Sequence, residues 1–407
     1  MDFGRSEKKW SKPGKWVVSP YNYLDEVRSG WNLHEKVIIH DSTLRDGEQA
    51  PGVVFRKDDK LRIAYALAEA GVPRIEGAMP AVSMEEADTL ATMAREITSS
   101  DIFGFIWTRK DQLDLAIECG VSNIVMEIPA KIDRQMQIWG NAENGIQKHV
   151  ELLIYAKEHG IKTTSFLANS TMATWEEIER VVVPAVKEGK ATSIALADSY
   201  GVALPDAIRW LVRKVKDTVD VPIEVHCHDL WGNGTSTALA GVTAGAEVVH
   251  TCVNGLGGNA ALEECVLGMT ALLGVETGIR TEKLFDISEL VRQLSGRGWY
   301  KPFFDETAGY MEIGTLTAAA WKKMAQGEKP FSPFNFEVIG RRIHANIVLG
   351  KKSGRHSIML KAKELNLPIP TEEKAIKMLE KVKQLSTEKR RLISEEEFTR
   401  IYREIGA

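Results

Sequence analysis

Short runs of β-branched and other apolar residues recur along the chain at a regular interval. They are VIIHD (37–41), RIEGA (74–78), IFGFIW (102–107), NIVMEI (123–128), KTTSFLA (162–168), SIALAD (193–198), IEVHCH (223–228) and EVVHTCV (247–253). Each has the length and residue types of a buried strand. Between them lie segments such as KDDKLRIAYALAEAGV and TWEEIERVVVPAVKEGK, with apolar residues at helical spacing. Several end in glycine, as in AEAGV, IECGV, KEHGI and VTAGAE, where a helix C-cap belongs. Eight strands alternating with helices, about thirty residues apart, predict an α/β fold of the parallel (β/α)8 barrel type. An open doubly wound sheet alternates in the same way, but no glycine-rich dinucleotide fingerprint follows the first strand.

This pattern divides the chain into three parts. Residues 1–35 form an N-terminal extension carrying Trp16, Tyr21, Tyr23 and Trp31, aromatic anchors for packing across the barrel or against a partner subunit. Residues 36–280 form the barrel. After about residue 280 the strand rhythm stops, and 281–407 reads as a mainly helical subdomain with a charged helical end.

Composition narrows the class. Of the 407 residues 44% are hydrophobic and 27% charged, the balance of a soluble globular protein. A net charge of −4 gives no pull toward nucleic acid or membrane. No run is long and apolar enough for a membrane helix, and the N-terminal MDFGRSEKKWSKPGKW lacks the apolar core of a secretory signal. Cys119, Cys227, Cys252 and Cys265 are scattered and form no CxxC pair, as in a reducing compartment. A cytoplasmic enzyme is expected.

In a barrel the chemistry belongs at the C-terminal ends of the strands. The first strand runs into Asp41-Ser-Thr-Leu-Arg45-Asp46-Gly47-Glu48-Gln49, a dense cluster of charge. The seventh ends in His226-Cys-His228-Asp229. Residues i and i+2 of a strand share a face, so both imidazoles point the same way and can chelate one ion. The eighth is followed by Asn254-Gly-Leu-Gly-Gly-Asn259 and a helix beginning AALEE. Two histidines, a carboxylate and an amide oxygen form a mixed set suited to Zn, Mn, Co or Mg, with positions open for a substrate. Singly, an HxH, an Arg-Asp pair and a glycine-rich turn are ordinary core, surface ion pair and turn. Strand one pairs with strand eight in a closed barrel, so here the three signals fall at one corner.

DSTLRDGEQ, HCH and GNAALEE resemble the motifs of the DRE-TIM metallolyase superfamily over residues 36–280. Its members include 2-isopropylmalate, homocitrate and citramalate synthases, hydroxymethylglutaryl-CoA lyase, and 2-oxo acid decarboxylases and carboxylases. IVLGKKSGRH (347–356) resembles the C-terminal subdomain of the synthase branch. The resemblance implies a divalent metal bound by Asp46, His226 and His228, with Asn259 a fourth ligand. The metal would act on a 2-oxo acid, with Arg45 donating to its keto oxygen. Ser199, in ADSYG, would hold the substrate carboxylate, and Gln49 and Glu76 would line the site. On residue types alone, Arg45 and Glu76 read equally as structural ion-pair partners.

The implied activity is acyl transfer from an acetyl-CoA-like donor to a 2-oxo acid, by a homodimer whose C-terminal part covers the partner's barrel mouth. The sequence departs from the synthases where acetyl-CoA is activated. Asn169 replaces a glutamate, Tyr310 a histidine and Phe334 a tyrosine. Tyr310 and Glu306 are the candidate replacements for the missing base. Asp229 after HCH resembles the lyase branch, which keeps a metal-dependent aldolase or lyase as the alternative.

Overall fold

The computed structural model describes residues 9–297, 310–327, 334–341 and 347–406. All eight expected strands are present: β1 (Ile38–Asp41), β2 (Arg74–Ala78), β3 (Asp101–Trp107), β4 (Asn123–Pro129), β5 (Lys162–Ala168), β6 (Ser193–Asp198), β7 (Ile223–Cys227) and β8 (Val248–Thr251). They are parallel and close into one barrel in chain order. Closure is made by β8 against β1, Val248 opposite Ile38 and Thr251 opposite Asp41. The eighth strand is shorter than its apolar run, because Cys252 leaves the sheet to pair with Ala261 and the Val253 amide donates to Thr43 Oγ1 at 2.8 Å.

Strand alternation explains why the runs are apolar almost throughout. One set of positions, Phe103, Phe105, Val125, Phe166, Ala168, Ala195 and Ala197, forms a cluster inside the barrel. The alternate set, including Ile39, Ile75, Ile124, Leu196 and Val225, is fully buried beneath the surrounding helices. Each such large side chain stabilises the fold by roughly 1.5–3 kcal/mol relative to exposure.

The helices begin and end where their residues allow. α1 (Lys57–Glu69) buries Ile63, Ala64 and Leu67 on one face. Its buried Lys60 is tolerated because Glu86 lies 2.6 Å and Glu48 2.7 Å from the ammonium. Before α2 (Trp175–Lys187), the Thr174 hydroxyl accepts from the Glu177 amide while Glu177 accepts from the Thr174 amide, a reciprocal cap. Gly71, Gly120, Gly160 and Gly245, expected as helix ends, all have positive φ, which a side chain would resist.

Tyr23 packs on its own barrel: its hydroxyl donates to the Ala271 carbonyl at 3.0 Å. The neighbouring Arg28 donates to the Leu273 carbonyl at 3.0 Å. The chain divides into two compact units, Met1–Lys12 with Val18–Phe304, and Pro13–Val17 with Asp305–Ala407. The second contains α3 (Gly314–Ala325), α4 (Arg355–Glu364), α5 (Glu372–Lys389) and α6 (Glu395–Ile405). Its own core includes Ile358, Met378, Val382, Phe398 and Ile401. No helix among the described residues is long and apolar enough to cross a membrane.

One buried histidine is expected to contribute acid sensitivity to the barrel. His149 is sealed under the strands with Thr108 Oγ1 2.8 Å from Nδ1 and Ser165 Oγ 2.8 Å from Nε2. Burial pushes its pKa down to about 3. Below roughly pH 6.5 the unfolded chain takes up a proton that the folded chain refuses, so stability falls as pH drops from there toward 3. Thermal or denaturant unfolding of wild type should show this loss, with His149 supplying roughly 1.4 kcal/mol per pH unit. His149→Asn should make that slope shallower, leaving the part due to the other histidines whose pKa burial also lowers, His226, His228 and His250; an unchanged slope would assign the acid sensitivity to those groups alone.

Candidate metal centre and barrel mouth

After β1 the chain turns tightly, with the Asp46 amide donating to the Ser42 carbonyl at 2.8 Å. This turn holds Asp46 inward at the C-terminal rim. Gly257 packs against it so closely that a Cβ there would stand 2.7 Å from the Asp46 carbonyl oxygen. Glu224, His226 and His228 share parity along β7 and its extension, and His228 pairs through its backbone with Asn259. Asp46 Oδ2 lies 2.9 Å from His226 Nε2 and 3.6 Å from His228 Nε2. The two Nε2 atoms are 3.3 Å apart.

These three atoms are a set that could hold one ion. A divalent ion bonded at about 2.1 Å spreads neighbouring ligand atoms to roughly 3.0–3.4 Å, so the spacing fits. The protonation states fit too. Burial lowers the pKa of His226, and burial with the nearby His226 lowers that of His228 to about 4, leaving both rings neutral near pH 7. Burial resists ionisation of Asp46. The Arg45 charge and the His226 hydrogen bond outweigh it and hold the carboxyl well below the usual range. Asn259 is buried, its side-chain nitrogen donating to the Leu256 carbonyl at 3.1 Å, so its amide oxygen remains the ligand atom it could offer.

Arg45 is fixed on three sides. Its Nε donates to Glu76 Oε1, Nη1 lies 3.4 Å from Asp46 Oδ1, and the guanidinium sits 4.0 Å above the Phe105 ring. Among the described residues its buried Nη2 has no hydrogen-bond partner, a donor free to meet an anionic or carbonyl oxygen. Glu76 is completely buried behind Arg45, and its other oxygen lies 3.0 Å from His40 Nε2. It acts on Arg45 directly.

Ser199 and Asn169 meet at the rims of β6 and β5, the Asn169 amide donating to Ser199 Oγ at 2.9 Å. Asn169 has φ 59°, and its buried side-chain oxygen has no partner among the described residues. Gln49 is exposed on the turn Gly47–Gln49. Tyr310 belongs to the second unit and is exposed; Glu306 lies outside the described residues.

The strand motifs alone did not single out a second buried group. His40 and His250, neighbours across the barrel closure, stack with ring centroids 4.2 Å apart. His250 Nε2 lies 2.6 Å from Glu224 Oε2, and Arg74 donates to Glu224 Oε1 at 2.8 Å. Arg74, Glu224, His250, His40, Glu76 and Arg45 thus form a continuous column inside the barrel. The signal was present in the alternation, since Glu224 shares a face with His226. Glu263, in the AALEE segment, accepts from the Asn254 amide with both oxygens at 3.1 Å, and burial pushes its pKa up to about 8. It shapes the glycine-rich loop. Glu127 of β4 also faces the mouth, its carboxyl pushed up by burial; Asp46 and Glu76 add to this while Arg45 opposes it.

A family model described as HMGL-like matches residues 36–291. Homocitrate synthase AksA of Methanopyrus kandleri is 34% identical over 369 residues, covering 89% of this chain and 91% of its own length. The 2-isopropylmalate synthase of Methanocaldococcus jannaschii is 36% identical over 344 residues, 83% of this chain; the chain spans only 65% of that longer protein. Among solved structures, the HMG-CoA lyase of Bacillus subtilis superimposes with a TM-score of 0.60 at 19% identity, covering 67% of this chain and 98% of the lyase, a likeness of fold. The chain belongs to the HMGL-like, or DRE-TIM, family.

Proposed function

We propose that this protein condenses an acyl-CoA with a 2-oxo acid to give a 2-hydroxy dicarboxylic acid, at a divalent metal held by Asp46, His226 and His228 with Asn259. The observation that carries this reading is the convergence of those three ligand atoms beside the unpaired Nη2 of Arg45. The names of the synthase relatives support the direction of the reaction. When bound, the metal supplies Lewis-acid polarisation of the keto group.

The protein's own groups do the rest. Glu76 and Phe105 hold Arg45 rigid, so its free N–H meets the keto oxygen as negative charge develops without reorganising. Ser199 accepts from Asn169 and keeps its own hydroxyl proton to donate to the substrate carboxylate. Gln49 adds a second polar contact at the rim. A base, Tyr310 or Glu306, takes a proton from the acyl carbon next to the thioester. That carbon bonds to the keto carbon, the keto oxygen ends as a hydroxyl, and water cleaves the thioester to release the CoA thiol. A metal-dependent lyase running C–C cleavage is the second reading, favoured by Asn169 and Asp229 where the synthases carry other residues.

Free thiol released from acetyl-CoA by the manganese-loaded protein should rise only when a suitable 2-oxo acid is present. No thiol release with any acid, together with cleavage of a 2-hydroxy or 2-oxo acid, would transfer the assignment to the lyase.

The base is tested separately. Tyr310→Phe or Glu306→Gln should lower turnover on the order of a hundredfold. Affinity for the 2-oxo acid should barely change, because Arg45 and the metal ligands hold that substrate. Wild-type turnover in both variants would show that neither residue is the base.

A further inference from the structure

β4 brings to the barrel mouth a carboxylate for which the proposed reaction has no role. Val125 belongs to the cluster inside the barrel, and Glu127, two residues on, shares its face one step nearer the rim. Glu127 stands in register with Trp107 of β3 and Phe166 of β5. The Phe166 ring in turn packs against His226, centroids 5.1 Å apart. Among the described residues the Glu127 carboxylate has no hydrogen bond and no ion pair. Asp198, at the end of β6, is by contrast matched: it accepts from Thr171 at 2.6 Å and from the Val202 and Ala203 amides at 3.0 Å. Neither neighbouring cation forms an ion pair with it, though both act on it through space. Arg45 is committed to Glu76 and Asp46, and the exposed Arg134 donates to Gln137 at 2.8 Å.

The strand order places β4 diametrically across the barrel from β8. The proposed ligands come from the ends of β1 and β7 and the loop after β8. A 2-oxo acid held at that corner by its carboxylate and keto oxygen therefore extends its chain toward β4. An alkyl chain arriving there would strip the remaining water from Glu127 and leave a charge unpaired, which is costly. A second carboxylate would add like-charge repulsion. A hydrogen-bond donor would satisfy the group.

We propose that Glu127 is a specificity-determining residue: the 2-oxo acid used by this protein carries a hydrogen-bond donor, such as a hydroxyl, on its side chain rather than a bare alkyl group or a second carboxylate. This rests on the proposed function, and the test separates the two. The manganese-loaded full chain is titrated calorimetrically with 4-hydroxy-2-oxobutanoate, 2-oxobutanoate and 2-oxoglutarate. Wild type should bind the hydroxy acid at least about tenfold more tightly than the other two, because a site built to bond a donor rejects analogues lacking it. Glu127→Leu should reverse the order of the hydroxy and alkyl acids, and Glu127→Gln, which keeps an acceptor, should retain a weaker preference. If the alkyl or dicarboxylic acid binds best to wild type, or Glu127→Leu leaves the order unchanged, Glu127 does not select the side chain and the proposed reaction still stands. If none of the three acids binds, the 2-oxo acid reading itself falls.

Discussion

The pairing of β8 with β1 is the constraint on which the site depends. Residues 38 and 248 are remote in sequence, and only the closed parallel sheet makes them neighbours. With the sheet closed, the turn carrying Asp46, the end of β7 and its extension carrying His226 and His228, and the loop carrying Asn259 converge at one corner of the rim. Thr43 Oγ1 accepts from the Val253 amide across this closure and ties the two motif loops together. The glycine at 257 lets them approach to a distance that a side chain would forbid. Local turn geometry is thus subordinate to barrel topology: each loop has its shape because the other must fit beside it.

A second consequence of closure is a barrel interior that contains charge. The column from Arg74 to Arg45 is tolerated because its acids and cations lie next to one another in a low-dielectric interior. Breaking one link would strand a buried charge. At one end of it stands Arg45, whose orientation is over-determined by Glu76, Asp46 and the Phe105 face. Such a donor needs little reorganisation when charge develops on a substrate, which is the physical content of preorganised electrostatic catalysis. In the proposed reaction Glu76 contributes by positioning.

Much of this was legible in the amino-acid sequence. The eight apolar runs marked the strands within a residue or two, because each is buried on both faces and β-branched side chains suit that environment. The parity of HxH placed both imidazoles on one face, and strand pairing in a closed barrel placed DSTLRDGEQ beside them. The interior column was harder to read. His40 and His250 sit singly in apolar runs, and a lone histidine has no partner until register aligns it with another strand. Glu127 was hidden for the same reason: NIVMEI reads as a strand whose single acid has no stated neighbour. Conversely, Gln49 and Glu76 were named together from motif resemblance, yet one is exposed on a turn and the other sealed behind Arg45.

Manganese binding to wild type, His226→Ala and His228→Ala, measured by calorimetry on chelator-treated protein, tests the metal centre most directly. Wild type should bind one ion per chain, and each variant should lose that binding while keeping a folded barrel, since the proposed ligands stand toward the C-terminal rim and not at the centre of the barrel. Equal manganese affinity in wild type and both variants would contradict the assignment of Asp46, His226 and His228 as the metal site.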